Sequence, residues 1–426
     1  MPTSLLDTSI QRVTVLGLGR FGGGLGVTRW WLDRGADVLV TDMASSDELS
    51  EATASLESHA RSAHLQWRLG EHRIEDFIET DLVVSNPAVP RPWEHECLRA
   101  AWDAGIPVTT EIALLAAQLD RTKVVGITGT AGKSTTAAMT HHVLGSCGVT
   151  SVLGGNIGGS LLPTIEEACR ADAVVLELSS AMLWWLGATD DSPVGAPGWS
   201  PAVAVTTNVA PNHVDWHGSE DHYRRCKAGL ARHQVDGEVH LQGDPGGDAI
   251  TLCIPGRHNQ GNARLALAAA LGIADIDPQA AAASLATFAG LPHRLERIAS
   301  DDGFDYFNDS KSTTPQATVL AIEAMEDPSR VHLVAGGYDK GISPDPIVQR
   351  CGDLAGLYAI GHTGGDLATL TGGYDCGTLA EAVQRARQHM KTGDVLLLSP
   401  GCASWDQFEN FQARGEAFRA LVSQRA

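Results

Sequence analysis

The sequence is short of positive charge. Its 426 residues hold 31 Lys and Arg against 51 Asp and Glu, a formal net charge of −20. That shortage excludes a broad nucleic-acid surface, because phosphate backbones demand basic side chains. It also excludes a polybasic attachment to anionic lipid, while leaving open a local positive pocket for an anionic substrate. Long apolar runs are missing too, so no segment reaches the roughly 20 residues of a membrane span. The start, MPTSLLDTSIQR, lacks the charged and apolar blocks of a secretory leader. A cytoplasmic protein without nucleic-acid or membrane partners is expected. Eight cysteines are scattered with no CxxC pair, which reads as reduced, buried thiols. Internal repeats and low-complexity tails are absent, so the length must be divided among several ordinary domains.

What the chain does contain is a series of apolar strands alternating with helices. VTVLGLGRFGGGLGVTRWWLDRGADVLVTD opens with a strand at 13–16, turns through glycines into a helix, and ends a second strand at Asp42. DLVVSNPAV, the helix around HECLRAAWDAG and the strand IPVTT extend the pattern. A second unit begins near residue 109 with TKVVGITGT, a helix, and the strands ADAVVLELSS and PAVAVTTNVAPNH; the alanine-rich helix GNARLALAAALGIA closes it. A third starts near Leu291, with strands in VHLVAGG, LYAIG and DVLLLSP. Strand–helix alternation predicts parallel sheets with helices on their faces, and the fold class is α/β with three units, 1–108, 109–290 and 291–426. One loop-like insertion, ATDDSPVGAPGWSP, is dense in Gly, Pro, Ser and Asp.

Several motifs point to chemistry. Gly17, Gly19 and Gly22 form a G-x-G-x-x-G turn after the first strand, and Asp42 stands where a ribose-binding acid would sit. Alone, this suggests a nicotinamide-dependent dehydrogenase, although Gly23, Gly24 and Gly26 blur the pattern. The stretch GITGTAGKSTT carries more weight. Thr128, Gly129, Thr130, Ala131, Gly132, Lys133, Ser134 and Thr135 follow a strand and open a helix. Backbone N–H groups there can cradle phosphate, Lys133 can reach the β and γ phosphates, and Ser134 can hold Mg²⁺. The usual first glycine of such a loop is replaced by Ile127, so the turn starts elsewhere. Glu177 ends a strand where carboxylates suit a hard cation. His213 and His217 in NHVDWH have spacing that suggests zinc, yet a third ligand is not evident in the sequence. Asn259 and Asn262, at a helix start, can read an adenine edge or act as caps. Arg294, Asp309 and Lys311 gather near the opening of the third unit.

Taken in order, TGTAGKST, GGNIG, ELSS, NHVD, GRHNQGN, GLPHR, NDSKST and LLLSPGCASWDQFENFQARG resemble the Mur ligase family, particularly its glutamate-adding branch. The family's loop is written TGTxGKS/T, which accounts for Ile127. The DNPR signature of the diaminopimelate- and lysine-adding relatives is absent. The resemblance implies a Rossmann-like first domain for a UDP substrate, a central P-loop ATPase-type domain, and a Rossmann-like third domain for the amino acid. It implies ATP-dependent addition of D-glutamate to UDP-N-acetylmuramoyl-L-alanine through an acyl phosphate, with an L-glutamate-adding relative as the alternative, by a monomer. Lys133, Glu177, His213 and Lys227 would be catalytic. Ser134, Glu177, His213 and Lys227, the last as a carbamate, would hold two Mg²⁺ ions. Thr128–Thr135, Asn259, Asn262, Arg294 and Asp309 would bind ATP. Gly19, Arg20, Phe21, Asp42 and Asn156 would meet the UDP substrate, and Lys311, Thr313, Lys340, Ser404 and Phe411 the glutamate. Departures from the family stand out in Arg20-Phe21, in Met43-Ala44 after Asp42, in AMLWWLG, and in a shortened stretch between Lys227 and Gly256.

Overall fold

In a computed structural model, residues 10–18, 23–193 and 195–423 are described. They form three sheets. The first contains β1 (Arg12–Leu16), β2 (Asp37–Asp42), β3 (Leu65–Leu69), β4 (Leu82–Ser85) and β5 (Val108–Thr109), in the order β3-β2-β1-β4-β5. The second contains β6 (Val124–Thr128), β7 (Ser151–Gly155), β8 (Ala173–Glu177), β9 (Val203–Thr206) and β10 (Val239–Gln242), in the order β10-β9-β6-β8-β7. Every pairing in these two sheets is parallel. Their central strands are buried end to end because helices cover both faces, which is why VVGIT and AVVLE read as unbroken apolar runs up to a polar last residue.

Order within each sheet decides where a site can lie. In the first sheet the connections leaving the neighbours β1 and β4 run to opposite sides, and in the second so do those leaving β6 and β9. A crevice opens at such a switch point, beyond the carboxyl ends of the strands. The glycine turn follows β1, and the TGTAGKS loop follows β6.

The third sheet holds β11 (Glu296–Ile298), β12 (Asp305–Asn308), β13 (Val331–Gly336), β14 (Gly356–Ile360), β15 (Tyr374–Gly377) and β16 (Val395–Leu398), in the order β11-β12-β16-β13-β14-β15. It is parallel except for the short β11–β12 pair. The chain divides into two compact units. One comprises Met1–Asp248 with Gly261–Ser284 and contains the first two sheets; the other comprises Ala249–Gln260 with Leu285–Ala426 and contains the third. Within the first unit, one core joins Val13, Val38 and Leu82 of the first sheet to Val174, Leu176 and Ala204 of the second. A satellite cluster packs Trp184, Trp185 and Trp216 against Phe77 and Leu98, so the unusual WWLG stretch serves as packing. Among the described residues, no helix is long and apolar enough to cross a membrane.

Candidate active site

The TGTAGKS loop owes its shape to two glycines and one asparagine. Gly129 and Gly132 have φ of 142° and 83°, in the region that side chains resist. A Cβ on Gly129 would collide with Thr207 Oγ1, and one on Gly132 with Asn262 Oδ1. Asn208 then pins the loop from the next strand's exit: its carbonyl accepts from Thr130 N at 2.8 Å, its Oδ1 from Ala131 N at 3.0 Å, and its Nδ2 donates to Ala131 O at 2.9 Å. Thr130 Oγ1 also meets the Tyr223 hydroxyl at 2.8 Å. The loop feeds the helix Lys133–Ser146, where Ser134 and Thr135 are buried in the first turn. Lys133 Nζ curls back to donate to Thr130 O at 3.0 Å. Asn208 and Tyr223 escaped the sequence reading; an Asn directly after the strand VAVTT was the available signal.

Two lysines and an acid converge beneath this loop. Lys227, on the helix Glu220–Ala228, is 2% exposed and donates to Thr128 Oγ1 at 2.8 Å. Burial pushes its ammonium well below the ordinary lysine value, and Lys133 adds repulsion. Glu177 is equally buried. Its Oε1 accepts from Asn156 Nδ2 at 2.9 Å, while Oε2 has no hydrogen-bond partner among the described residues. An orphaned carboxylate oxygen at that depth is costly unless a cation meets it. Asn156, expected against the UDP substrate, is thus tied to Glu177 by its side chain and by its N–H to the Glu177 carbonyl at 2.8 Å. His213 has φ 49°, and burial lowers its pKa, with Lys227 and Lys133 pushing the same way against Asp215.

A cavity of about 580 Å³ joins these groups to the first sheet. Its walls include Gly17 and Asn86 from the ends of β1 and β4, and Gly129, Lys133, Asn156, His213 and Lys227 from the second sheet. Glu111 also lines it. This carboxyl accepts from Ser160 Oγ at 2.6 Å, yet burial raises its pKa to about 7. The sequence signal for Glu111 was an acid one residue past the cap of an apolar helix, TEIALLAAQ, where it passes for a helix-start charge. Gly19, Arg20 and Phe21 lie outside the described residues. Asp42 accepts from Leu18 N and Ala44 N, both at 2.9 Å, and so holds the turn at the end of β2. Asn262 faces the loop, with Oδ1 3.4 Å from Thr136 Oγ1.

The remaining candidates lie in the second unit. Asn259 Nδ2 donates to Pro255 O at 2.5 Å, and Arg294 Nε is buried with no hydrogen-bond partner among the described residues. Asp309 is buried and accepts from Ser399 Oγ at 2.8 Å and Leu295 N at 3.1 Å; burial raises its pKa to about 6. Lys311 Nζ stands 5.7 Å from the Phe411 ring centre, and Lys340 Nζ 5.2 Å from that of Trp405. Thr313 is half-buried next to Lys311, and Ser404 is fully buried. Arg414, inside the quoted stretch ending FQARG but given no role there, ties these loops together. At 1% exposure its guanidinium donates to Ser310 Oγ and O, both at 3.0 Å, to Ala403 O at 3.2 Å and to Cys402 O at 3.1 Å.

Parallel sheets, a glycine-pinned loop at a switch point and the buried side chains of Lys227 and Glu177 define an α/β protein with a P-loop ATPase-type domain. The Mur ligase middle domain matches residues 127–244. Over 474 aligned positions the chain is 32% identical to UDP-N-acetylmuramoylalanine–D-glutamate ligase of Pelotomaculum thermopropionicum, covering 98% of each chain. It is 34% identical to the protein of that name from Anaeromyxobacter dehalogenans, covering 97% of this chain and 98% of that one. Among solved structures, Thermotoga maritima UDP-N-acetylmuramate–alanine ligase MurC superposes with a TM-score of 0.57 at 19% identity, covering 96% of this chain and 98% of that one. MurF ligase from the same organism, in complex with ADP, gives 0.56 at 15% identity, covering 99% and 98%. The chain belongs to the Mur ligase family, in the branch of the UDP-N-acetylmuramoylalanine–D-glutamate ligases.

Proposed function

We propose that the chain joins D-glutamate to the terminal carboxylate of UDP-N-acetylmuramoyl-L-alanine with ATP as the energy source, in cytoplasmic synthesis of the peptidoglycan precursor. One observation carries the reading: a single cavity runs from the glycine turn after β1 to Lys133, Asn156, His213 and Lys227. The relatives' names supply D-glutamate rather than its mirror image. The three sheets support a division into a UDP-substrate domain (1–108), an ATP domain (109–290) and an amino-acid domain (291–426). We take a monomer as the working unit.

The chemistry follows from what each group can do. A carboxylate accepts an amine only after one of its oxygens becomes a leaving group. The substrate carboxylate would attack the ATP γ-phosphorus, breaking the bond to the ADP oxygen and giving an acyl phosphate. Lys133, with Thr128–Thr135, would hold the phosphates in line and neutralise charge gathering on the γ-phosphoryl oxygens. Asn259, Asn262, Arg294 and Asp309 are assigned to the nucleotide. The glutamate amine would then attack the acyl carbon, lose a proton, and expel phosphate from the tetrahedral intermediate. Lys340 and Ser404 suit its two carboxylates, with Lys311, Thr313 and Phe411 around them.

Two Mg²⁺ ions fit the donor set: the orphaned Glu177 oxygen, Ser134, His213 and Lys227. A bound Mg²⁺ supplies Lewis-acid neutralisation of phosphate charge. Lys227 enters that set as a carbamate, which turns a buried cation into an anionic oxygen ligand. Its depth, and its position beside Lys133 and Glu177, support that modification. The dehydrogenase alternative finds no support, because Asp42 is engaged with the amides of Leu18 and Ala44. The test is phosphate release from ATP with UDP-N-acetylmuramoyl-L-alanine and, in turn, D-glutamate, L-glutamate and diaminopimelate. Release only with D-glutamate is expected; its absence would sink the assignment.

A further inference from the structure

A second cluster of metal-ligating side chains neighbours the proposed magnesium ligands without sharing a residue with them, since Cys226 precedes Lys227 and His217 lines the same cavity. His217 ends the short helix Val214–His217, and His222 and Cys226 lie one turn apart on one face of Glu220–Ala228. All three are buried, at 3%, 5% and 0% exposure. Cys226 Sγ is 3.6 Å from His222 Nε2 and 3.9 Å from His217 Nδ1. The two imidazoles approach Nδ1 to Nδ1 at 3.0 Å, and ligand atoms of all three residues fall within 4.8 Å of one another. Asp191, from the Gly/Pro/Ser/Asp-rich insertion, places Oδ1 3.6 Å from His222 Nε2, and its own carbonyl accepts from Trp184 Nε1 at 3.1 Å.

We propose that His217, His222 and Cys226 bind a single zinc ion, with the exposed Asp191 carboxylate, now 3.6 Å from His222, swinging in as the fourth ligand when the ion binds. Tetrahedral zinc with bonds of about 2.0–2.3 Å spaces its ligand atoms roughly 3.3–3.8 Å apart. The two sulfur–nitrogen distances and the Asp191–His222 distance fall in or next to that range. A thiolate with two imidazoles selects zinc over Mg²⁺, which prefers oxygen and octahedral geometry. Charge balances: the ion's two positive charges meet the Cys226 thiolate and the Asp191 carboxylate, and the thiol proton leaves to solvent on binding. The outer shell is built as well. His217 Nε2 lies 2.8 Å from Ser180 Oγ, a contact that aims Nδ1 of the ring at Cys226. Trp216 and Trp93, with ring centres 4.4 Å from His217 and 5.0 Å from His222, wall the cluster off from water. Coordination would lock the helix carrying Cys226 and Lys227 to the NHVDWH segment, which fixes Lys227 under the nucleotide loop.

The test uses the full chain, stripped with a chelator and titrated with Co²⁺ in excess Mg²⁺ so that the oxygen-rich sites are filled. One equivalent should give a thiolate-to-cobalt charge-transfer band and tetrahedral visible bands, both erased by one equivalent of Zn²⁺. Cys226→Ser should lose the charge-transfer band, and Asp191→Asn should weaken Zn²⁺ binding by at least the roughly 10–100-fold typical of losing an outer-shell partner. No band in the wild-type chain, or an unchanged band in Cys226→Ser, overturns the proposal. The wild-type spectrum decides alone if the serine variant does not fold.

Discussion

Asn156 Nδ2 donates to Glu177 Oε1 at 2.9 Å and leaves Oε2 of the same carboxylate buried without a partner. One oxygen is held still so that the other can face a cation. Glu177→Gln keeps the shape and the Asn156 contact but removes the charge. Phosphate release should fall by about 100-fold or more, the scale of losing one electrostatic contact at a reacting group. Without Mg²⁺, thermal stability should hold or rise, since a buried charge is gone. Mg²⁺ should raise the melting temperature of the wild-type chain and not of the variant.

Lys227→Ala removes the group that we assign to the carbamate. Turnover should collapse, with partial rescue by small carboxylic acids that place an oxygen in the vacated space. Full activity in Lys227→Ala would remove the carbamate from the mechanism.

Glu111 makes stability depend on pH. Its pKa is about 7 in the folded chain against an ordinary 4.5, with burial as the cause. Below pH 4.5 both states hold the proton, and no difference arises. Between 4.5 and 7 the folded chain keeps a proton that the unfolded chain has released, so this residue's contribution falls as pH rises, by about 3 kcal/mol in all. Glu111→Gln should therefore gain stability over wild type progressively through that window and stay flat above it. Denaturant melts of both chains at pH 4.5, 6 and 8 check the sign.

Gly129→Ala should disable the loop. Its φ of 142° and the collision with Thr207 Oγ1 leave no room for a methyl group. A destabilisation of roughly 1–3 kcal/mol is expected from the strain. ATP affinity, read by calorimetry, should fall further than in Gly145→Ala, a helix position with open space around it.

Arg414→Lys tests a buried clamp. A lysine cannot reproduce four hydrogen bonds to Ser310, Cys402 and Ala403 from a planar fork. A loss of about 1.5–3 kcal/mol is the scale for losing hydrogen bonds made by a buried charged donor. The KM for glutamate should rise more than that for ATP, because both clamped loops neighbour the glutamate residues.

Much of the candidate site was legible because its residues are rare or sit on stiff local geometry. The chain has six lysines, and Lys133, Lys227, Lys311 and Lys340 are four of them; Lys123 and Lys391 are the others. The strand–loop–helix around Lys133 is local, so apolar run, glycines and helix start were all visible in one stretch. The short edge strands β3, β10 and β15 were not, because their exposed faces break the apolar runs that mark buried strands. Glu111 was hidden for another reason: a single acid in an ordinary helix has no local signature, and only its burial makes it special, while Arg414 sat inside a quoted motif with no sign of its buried clamp.

By itself the sequence determined the alternation of strands and helices, the loop that can hold phosphate and the family, since each depends on neighbours in the chain. Tertiary structure decided which groups share one low-dielectric space. Parallel strand order put Lys227, Thr128 and Glu177 together, left one carboxylate oxygen unpaired, and set Asp191 of an unremarkable loop beside His222 of a helix. Burial, not spacing along the chain, turns those ordinary side chains into chemistry.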